Sequence, residues 1–275
     1  MLIDRLTPEN RLLEAYDSQL REETELTGAT RYDRDGPLWR GTFESRESSR
    51  GFVTYRDLGG LEGQALENLI ARTVAHYAAD PSVASFEWKT RGHDLPTNLA
   101  ERLAAHGLVP EESETVMLGE AALLAVEVPL PAGVQLRRID NQPDPLPDLV
   151  RAAAAQDRAF SIKIPSGVED FVRRLKNGRD SIEYWIAEIQ GEVVSTGRLE
   201  VVPGTEFAGV WGGGTVAEWR GKGIYRALTA ERAKSAVQRG VRFLHSDSTE
   251  YSRPILQRSG LLAVTTTMPF IWTRQ

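Results

Sequence analysis

Apolar residues recur along the chain with two periods. Spacing of three and four, which lines one face of a helix, runs through 10–27 (Leu12, Leu13, Tyr16, Leu20), Gln64–Ala79 (Leu66, Leu69, Ile70, Val74, Tyr77) and Ile224–Arg239 (Ile224, Ala227, Leu228, Ala230, Ala233, Val237). Helices are also expected over Leu95–His106, Asp148–Phe160, Val168–Lys176 and Arg253–Arg258. Alternation, or a short apolar run bounded by turn residues, predicts strands at Trp39–Ser45, Gly51–Tyr55, Val83–Lys89, Thr115–Leu118, Val134–Ile139, Ser181–Ile189, Val193–Val201, Val210–Val216 and Arg242–Ser248. Leu261–Ile271 adds one or two more, divided at Met268-Pro269, and Gln190-Gly191 marks a hairpin turn.

These elements form a pattern that occurs twice. In each half a helix, a strand and a helix end in the same spacing, Leu103-x-x-x-Gly107-Leu108 and Leu256-x-x-x-Gly260-Leu261. Shared order and spacing suggest a structural repeat. Val128-Pro129-Leu130-Pro131-Ala132-Gly133 interrupts any regular element, which gives two domains, 1–127 and 128–275. The fold class is α/β (α+β), with a mixed, mostly antiparallel sheet flanked by helices in each domain.

One stretch carries candidate chemistry. The strand Val210–Val216 contains Gly212, Gly213 and Gly214, and glycines inside a strand suggest a bulge or a close approach by a backbone or ligand. Arg220-Gly221-Lys222-Gly223-Ile224-Tyr225 follows, then the helix to Arg239, with Gly240 where a helix-ending glycine is expected. A glycine-bearing turn leading into a helix N-terminus makes an anion site, because its amides lack intrahelical partners and the helix dipole adds positive potential. Between Arg220 and Gly240 there are six Lys/Arg and one acid, Glu231, in a chain whose net charge is -6. That local excess suits a polyanion.

The segment resembles the acyl-CoA-binding motif of the GNAT superfamily (GCN5-related N-acyltransferases), Arg/Gln-x-x-Gly-x-Gly/Ala. Arg220, Gly223 and the hydrophobic Ile224 match, whereas Tyr225 stands at the final Gly/Ala position. The repeat resembles the tandem GNAT arrangement. In the first copy the corresponding place, Asp57–Gly63, has glycines but also Asp57 and Glu62 and no Arg-x-x-Gly, so that copy is expected to be degenerate; its acids would repel a pyrophosphate.

The resemblance implies acetyl-CoA as cosubstrate and direct transfer of the acyl group to an amine of a small molecule or peptide. Backbone amides of Arg220, Gly221, Lys222, Gly223, Ile224 and Tyr225 would hold the pyrophosphate, with charge from Lys222 and Arg226. Gly213, Thr215 and Val216 would present backbone groups to the pantetheine arm, and Phe160–Gly167 would face the acceptor. Such transfer needs positioning, removal of a proton from the ammonium, polarisation of the thioester and protonation of the leaving thiolate. Glu206, from its distance before Arg220, is the first candidate base, with Asp247 and Glu250 as alternatives. The position of the family's usual acid, four residues before Gly260-Leu261, is Leu256, so Tyr251 or Ser252, a turn earlier, or solvent would have to protonate the thiolate. Tyr225 and Leu256 equally suit a rival reading, a catalytically silent acyl-CoA-binding sensor or scaffold.

Composition narrows the remaining classes. A 41% hydrophobic and 26% charged chain of 275 residues is globular and long enough for two ordinary domains. Net acidity argues against a surface that coats nucleic acid and mildly favours a cationic acceptor. Ala121–Val128 is too short for a membrane span and contains Glu127, and MLIDRLTPEN lacks the apolar core of a signal peptide. With no cysteine there are no disulfides, thiolate zinc sites or cysteine nucleophile; the four histidines lack spaced partners, so no metal is expected. No Gly-x-x-x-x-Gly-Lys-Ser/Thr is present. A cytoplasmic monomer or homodimer is the simplest expectation.

Overall fold

The computed structural model describes residues 7–44, 48–161, 167–177 and 181–275. In chain order they form α1 (Pro8–Gln19), β1 (Arg31–Asp35), β2 (Leu38–Phe43), β3 (Ser49–Thr54), α2 (Gly63–Ala79), β4 (Val83–Arg91), α3 (Leu99–Ala105), β5 (Val109–Pro110), β6 (Glu114–Glu120) and α4 (Ala121–Leu124). There follow β7 (Gln135–Arg138), α5 (Leu146–Phe160), α6 (Gly167–Asn177), β8 (Ile182–Ile189), β9 (Glu192–Val201), β10 (Phe207–Thr215), α7 (Ile224–Gln238), β11 (Phe243–Ser248), α8 (Arg253–Ser259) and β12 (Leu262–Thr273). Two compact units result: Met1–Val116 with Asp247–Glu250 and Ala263–Gln275, and Met117–Ser246 with Tyr251–Leu262. The expected division, 1–127 and 128–275, counts β12 in the second domain; in the structure nearly all of β12 belongs to the first unit.

In the first unit the strands run β1-β2-β3-β4-β12, antiparallel except for β3 and β4. A parallel pair needs a crossover connection, and α2 supplies it, burying Leu66, Leu69, Ile70, Thr73 and Tyr77. That helix face meets Phe86, Trp88 and Phe270 in one core. Tyr77 stacks on Phe86 (4.6 Å between centroids), and Phe86 on Trp272 (5.5 Å). Met268-Pro269 does not divide β12, which pairs with β4 continuously from Thr267 to Thr273.

A second, polar core accompanies it. Glu25 is bound by Arg91 and Thr54 and Lys89 Nζ lies 3.0 Å from Asp247. Burial pushes the Lys89 ammonium down, but Asp247 and Glu25 outweigh it and hold it charged well above its ordinary value.

The second unit orders its strands β7-β8-β9-β10-β11. All pairs are antiparallel except β10 with β11, which α7 connects. Side chains alternate across a strand, and β8 shows the result. Ile182, Tyr184 and Ile186 pack with Leu149 and Ala152 of α5, while Glu183 binds Ser235 of α7 and Arg239 at its C-terminal cap. The two helices therefore cover opposite faces. β10 carries a bulge: its partner residues on β9 step from Arg198 to Thr196 while β10 steps from Trp211 to Gly214. Gly212 takes the extra place with φ +59°.

Candidate functional site

The site grows from the carboxyl end of β10. After a short 3-10 turn at Ala217–Trp219 the chain reaches Gly221 and Gly223, with φ +73° and +80°, and Gly223 caps α7. Other residues resist this left-handed backbone by roughly 1–2 kcal/mol. A side chain at Gly221 would meet nothing within 4 Å, and at Gly223 only Pro129 O at 3.8 Å. The glycines are thus required by conformation, and the space above them is open. The amides of Gly223, Ile224, Tyr225 and Arg226 have no acceptor one turn back, as in any helix start. Ile224 is buried beside Val216 and Leu228, which pins this turn to the sheet. Lys222 and Arg226 are exposed, and Lys222 Nζ stands 4.2 Å above the Trp219 ring.

Arg220 has a different task. Its guanidinium donates to Thr215 O (3.0 Å) and Ala159 O (2.6 Å), clamping the loop to the ends of β10 and α5. A cation on the last carbonyls of α5 also complements the dipole of that helix.

Tyr225 lies across β10. A side chain at Gly213 would sit 2.6 Å from Tyr225 Cε2 and 2.8 Å from its hydroxyl oxygen, so the strand must be glycine there. The hydroxyl is hydrogen-bonded to Arg232. Arg232 is 1% exposed and donates to Leu228 O, Arg198 O and Thr229 Oγ1, each at 3.1 Å. Burial lowers its pKa. A Cβ at Gly197 would come within 2.8 Å of this guanidinium. The departure from the expected motif therefore comes with a matched set: Tyr225, Gly213, Arg232 and Gly197.

Thr215 Oγ1 bonds Ser195 Oγ at 2.8 Å, and Val216 N donates to Val194 O at 3.0 Å. Both side chains are buried. Between β10 and β11 the parallel ladder comprises Phe207 with Phe243, Ala208 with Leu244 and Gly209 with His245. Among the described residues no ladder pair joins β10 to β11 beyond Gly209, although β10 continues to Thr215. Trp211 folds back at this parting, against Gly209 and edge-on to His245 at 5.1 Å.

No protein-family model and no curated protein matches the sequence. Solved structures do match. A GCN5-related N-acetyltransferase from Kribbella flavida superposes with TM-score 0.66 at 16% identity, covering 90% of this chain and 92% of that one. One from Sphaerobacter thermophilus gives 0.61 at 18%, over 86% and 76%. A tandem GNAT protein from the clavulanic acid biosynthesis pathway gives 0.58 at 13%, over 91% and 87%. The fold is the tandem GNAT fold. At these identities the likeness is one of architecture, and residue roles rest on the geometry above.

Within this GNAT fold the expected cofactor residues Gly213, Thr215, Val216, Arg220, Gly221, Lys222, Gly223, Ile224, Tyr225 and Arg226 come together at one end of β10. Glu206 does not join them. It precedes the opposite end of β10, nine residues from Thr215 or roughly 25–30 Å along a strand, and pairs with Arg242 at 3.4 Å. Asp247, an alternative base, lies in the first unit and pairs with Lys89. Tyr251 is exposed on the turn before α8. Because β10 and β11 are parallel, that turn leaves from the same end of the sheet as the 220–226 loop. Leu256 is buried in the core, so no acid group occupies the usual acid's position. Of Phe160–Gly167, expected at the acceptor, residues 162–166 lie outside the described residues; Phe160 is 45% exposed.

The α5 face adds residues that sequence patterns do not single out. Gln156, Trp185, Thr196, Arg198 and Gly212 line a cavity of about 10 Å³ beside the bulge, room for one water. Arg198 is paired with Glu200 two residues along β9. An Arg-x-Glu alternation on a strand is the only sequence signal of this pair.

Proposed function

We propose that the second unit binds acetyl-CoA at the 220–226 loop and passes its acyl group directly to a primary amine of a small molecule or peptide, in the cytoplasm. The observation that carries this is the open glycine turn at the start of α7, placed at the carboxyl end of β10 where that strand has left β11. Ligands of open α/β sheets gather at such strand ends. The amides of residues 223–226 meet the pyrophosphate, and Lys222 and Arg226 add charge from the rim. Arg220 holds the loop in place rather than touching phosphate. The free edge of β10 at Gly213–Thr215 offers backbone groups to the pantetheine arm.

Bound acyl-CoA supplies an activated thioester. The chain orients it along β10, keeps Gly213 bare beneath Tyr225 and presents Tyr251 as proton donor to the departing thiolate. The buried Leu256 favours one second reading, an acyl-CoA-binding protein that does not transfer.

Calorimetric titration with acetyl-CoA and free CoA, on wild type and Gly223→Trp, tests the site. Saturable binding by wild type, lost in a variant with an unchanged circular dichroism spectrum, supports it. No wild-type binding overturns it. Turnover against a panel of amines then separates transfer from binding alone.

A further inference from the structure

A cavity of about 560 Å³ lies in the first unit, between α1, the loop joining β3 to α2, and the segment after β4. Small-molecule sites span about 300–1,000 Å³. Leu13, Leu58, Leu61 and Leu95 give it an apolar wall. The polar lining is mostly acidic: Glu14, Asp17, Asp57, Glu62 and Asp94 stand against Arg56 and His93.

The loop that forms one side, 57–62, is this unit's counterpart of 220–225. Each follows a strand, opens a helix and leads to a parallel strand. Their chemistry is opposite. In the first unit Asp57 Oδ1 accepts the amide of Gly59 at 2.8 Å, and Leu61 N donates to Leu58 O at 3.1 Å. The loop thus uses two of its own amides internally, and Glu62 stands at the N-cap position of α2 without a side-chain cap bond, which puts a carboxylate where a phosphate would need donors.

The deeper acids are fixed. Asp94 accepts from Arg21 (2.9 Å), Tyr55 (2.6 Å) and the amide of Arg91 (2.7 Å). Burial pushes Asp17 up, but hydrogen bonds from His93 and Arg21 outweigh it and keep it ionised below the usual carboxylate range. Arg21 offsets part of the charge of these two. Glu14, Asp57 and Glu62 line the cavity beside Arg56, all four exposed, and among the described residues neither Glu14 nor Glu62 is in an ion pair.

We propose that this cavity binds a small organic ammonium with an apolar body, the charge meeting Glu14, Asp57 and Glu62 and the body lying on the leucines. The first copy then keeps a ligand site of reversed polarity instead of a lost one. Nothing in this depends on acyl-CoA in the second unit.

The test uses the full chain and three ligands of one shape: tryptamine, neutral tryptophol and anionic indole-3-acetate. Calorimetry should show saturable binding of tryptamine, with tryptophol at least tenfold weaker and indole-3-acetate weaker still. Glu14→Gln with Glu62→Gln should weaken tryptamine about tenfold, and Leu61→Trp should abolish binding by filling the cavity. Gly223→Trp, which alters the second unit only, should leave it unchanged. Equal affinity for the three ligands, no saturation by tryptamine, or tryptamine binding that ignores Glu14 and Glu62 but falls with Gly223→Trp would each overturn the proposal. Circular dichroism and melting temperature establish that the variants are folded.

Discussion

Tyr225 and Gly213 form a pair that neither residue explains alone. The ring occupies the volume of a missing side chain, and the hydroxyl gives a buried guanidinium one of its few partners. Adding a methyl at Gly213 overpacks this contact, which typically costs about 1–3 kcal/mol. Gly213→Ala should therefore lower the melting temperature clearly, and in a Tyr225→Ala background it should cost far less. A thermal double-mutant cycle measures the difference, with a coupling of at least ~1 kcal/mol expected for residues in contact. Additive effects would mean that the ring and the strand do not meet. Sequence patterns register Tyr225 only as a mismatch; Arg232 follows it by seven residues on the same face of α7, but Gly197 comes close only when α7 packs on β9.

The strand–loop–helix from β10 to α7 is where sequence is most informative. Its glycines, its cations and its helical period are contiguous, so local rules suffice. The bulge and the helix start could be expected from Gly212–Gly214 and Gly223. β1 was invisible for a physical reason: Arg31-Tyr32-Asp33-Arg34-Asp35 is a polar, largely exposed strand with no apolar alternation to detect. Glu206 misleads for another, since distance before Arg220 along the chain takes no account of a strand running away from the loop. Ala159, Gln156 and Arg198 were hidden because α5 and β9 reach the loop through tertiary packing. At this scale Lys222→Gln and Arg226→Gln should each weaken CoA binding several-fold with little loss of stability, because both side chains are exposed. Titration at low and high salt checks this: screening at ~1 M salt shortens the range of charge to about 3 Å, so the variants should converge on wild type there. Salt-independent differences would place the two cations outside the phosphate site.

Across the molecule, charge is handled differently in the two units. The second unit exposes Lys222 and Arg226 on one loop and buries Arg232 against the carbonyls of Leu228 and Arg198. The first buries Glu25 among Arg91, Lys89 and Thr54, and although burial pushes its carboxyl up, those partners outweigh it and lower its pKa. A carboxylate lowered on folding contributes stability that is fully present above its ordinary pKa and is lost as pH falls through the folded value. Stability from Glu25 should therefore decline below about pH 4.3. Glu87 and Glu114, raised by burial, act in the opposite sense, so wild type must be compared with Glu25→Gln. That variant takes the carboxylate from the buried Arg91, leaving Lys89 with Asp247, and should lose about 3–5 kcal/mol at pH 7, with the difference narrowing towards pH 3 in denaturant unfolding. A pH-independent difference would show that Glu25 contributes packing and not charge.

The return of β12 to the first unit sets an order in time. A ribosome emits chains from the first residue onward at about 5–20 residues per second. Residues 1–116 emerge early, yet the strand that pairs with β4 and brings Phe270 into their core begins about 150 residues later. For roughly 7–30 seconds the older half of the protein waits with one edge and part of its core uncovered, while the whole of the younger half is being made. The unit born first is the last to close.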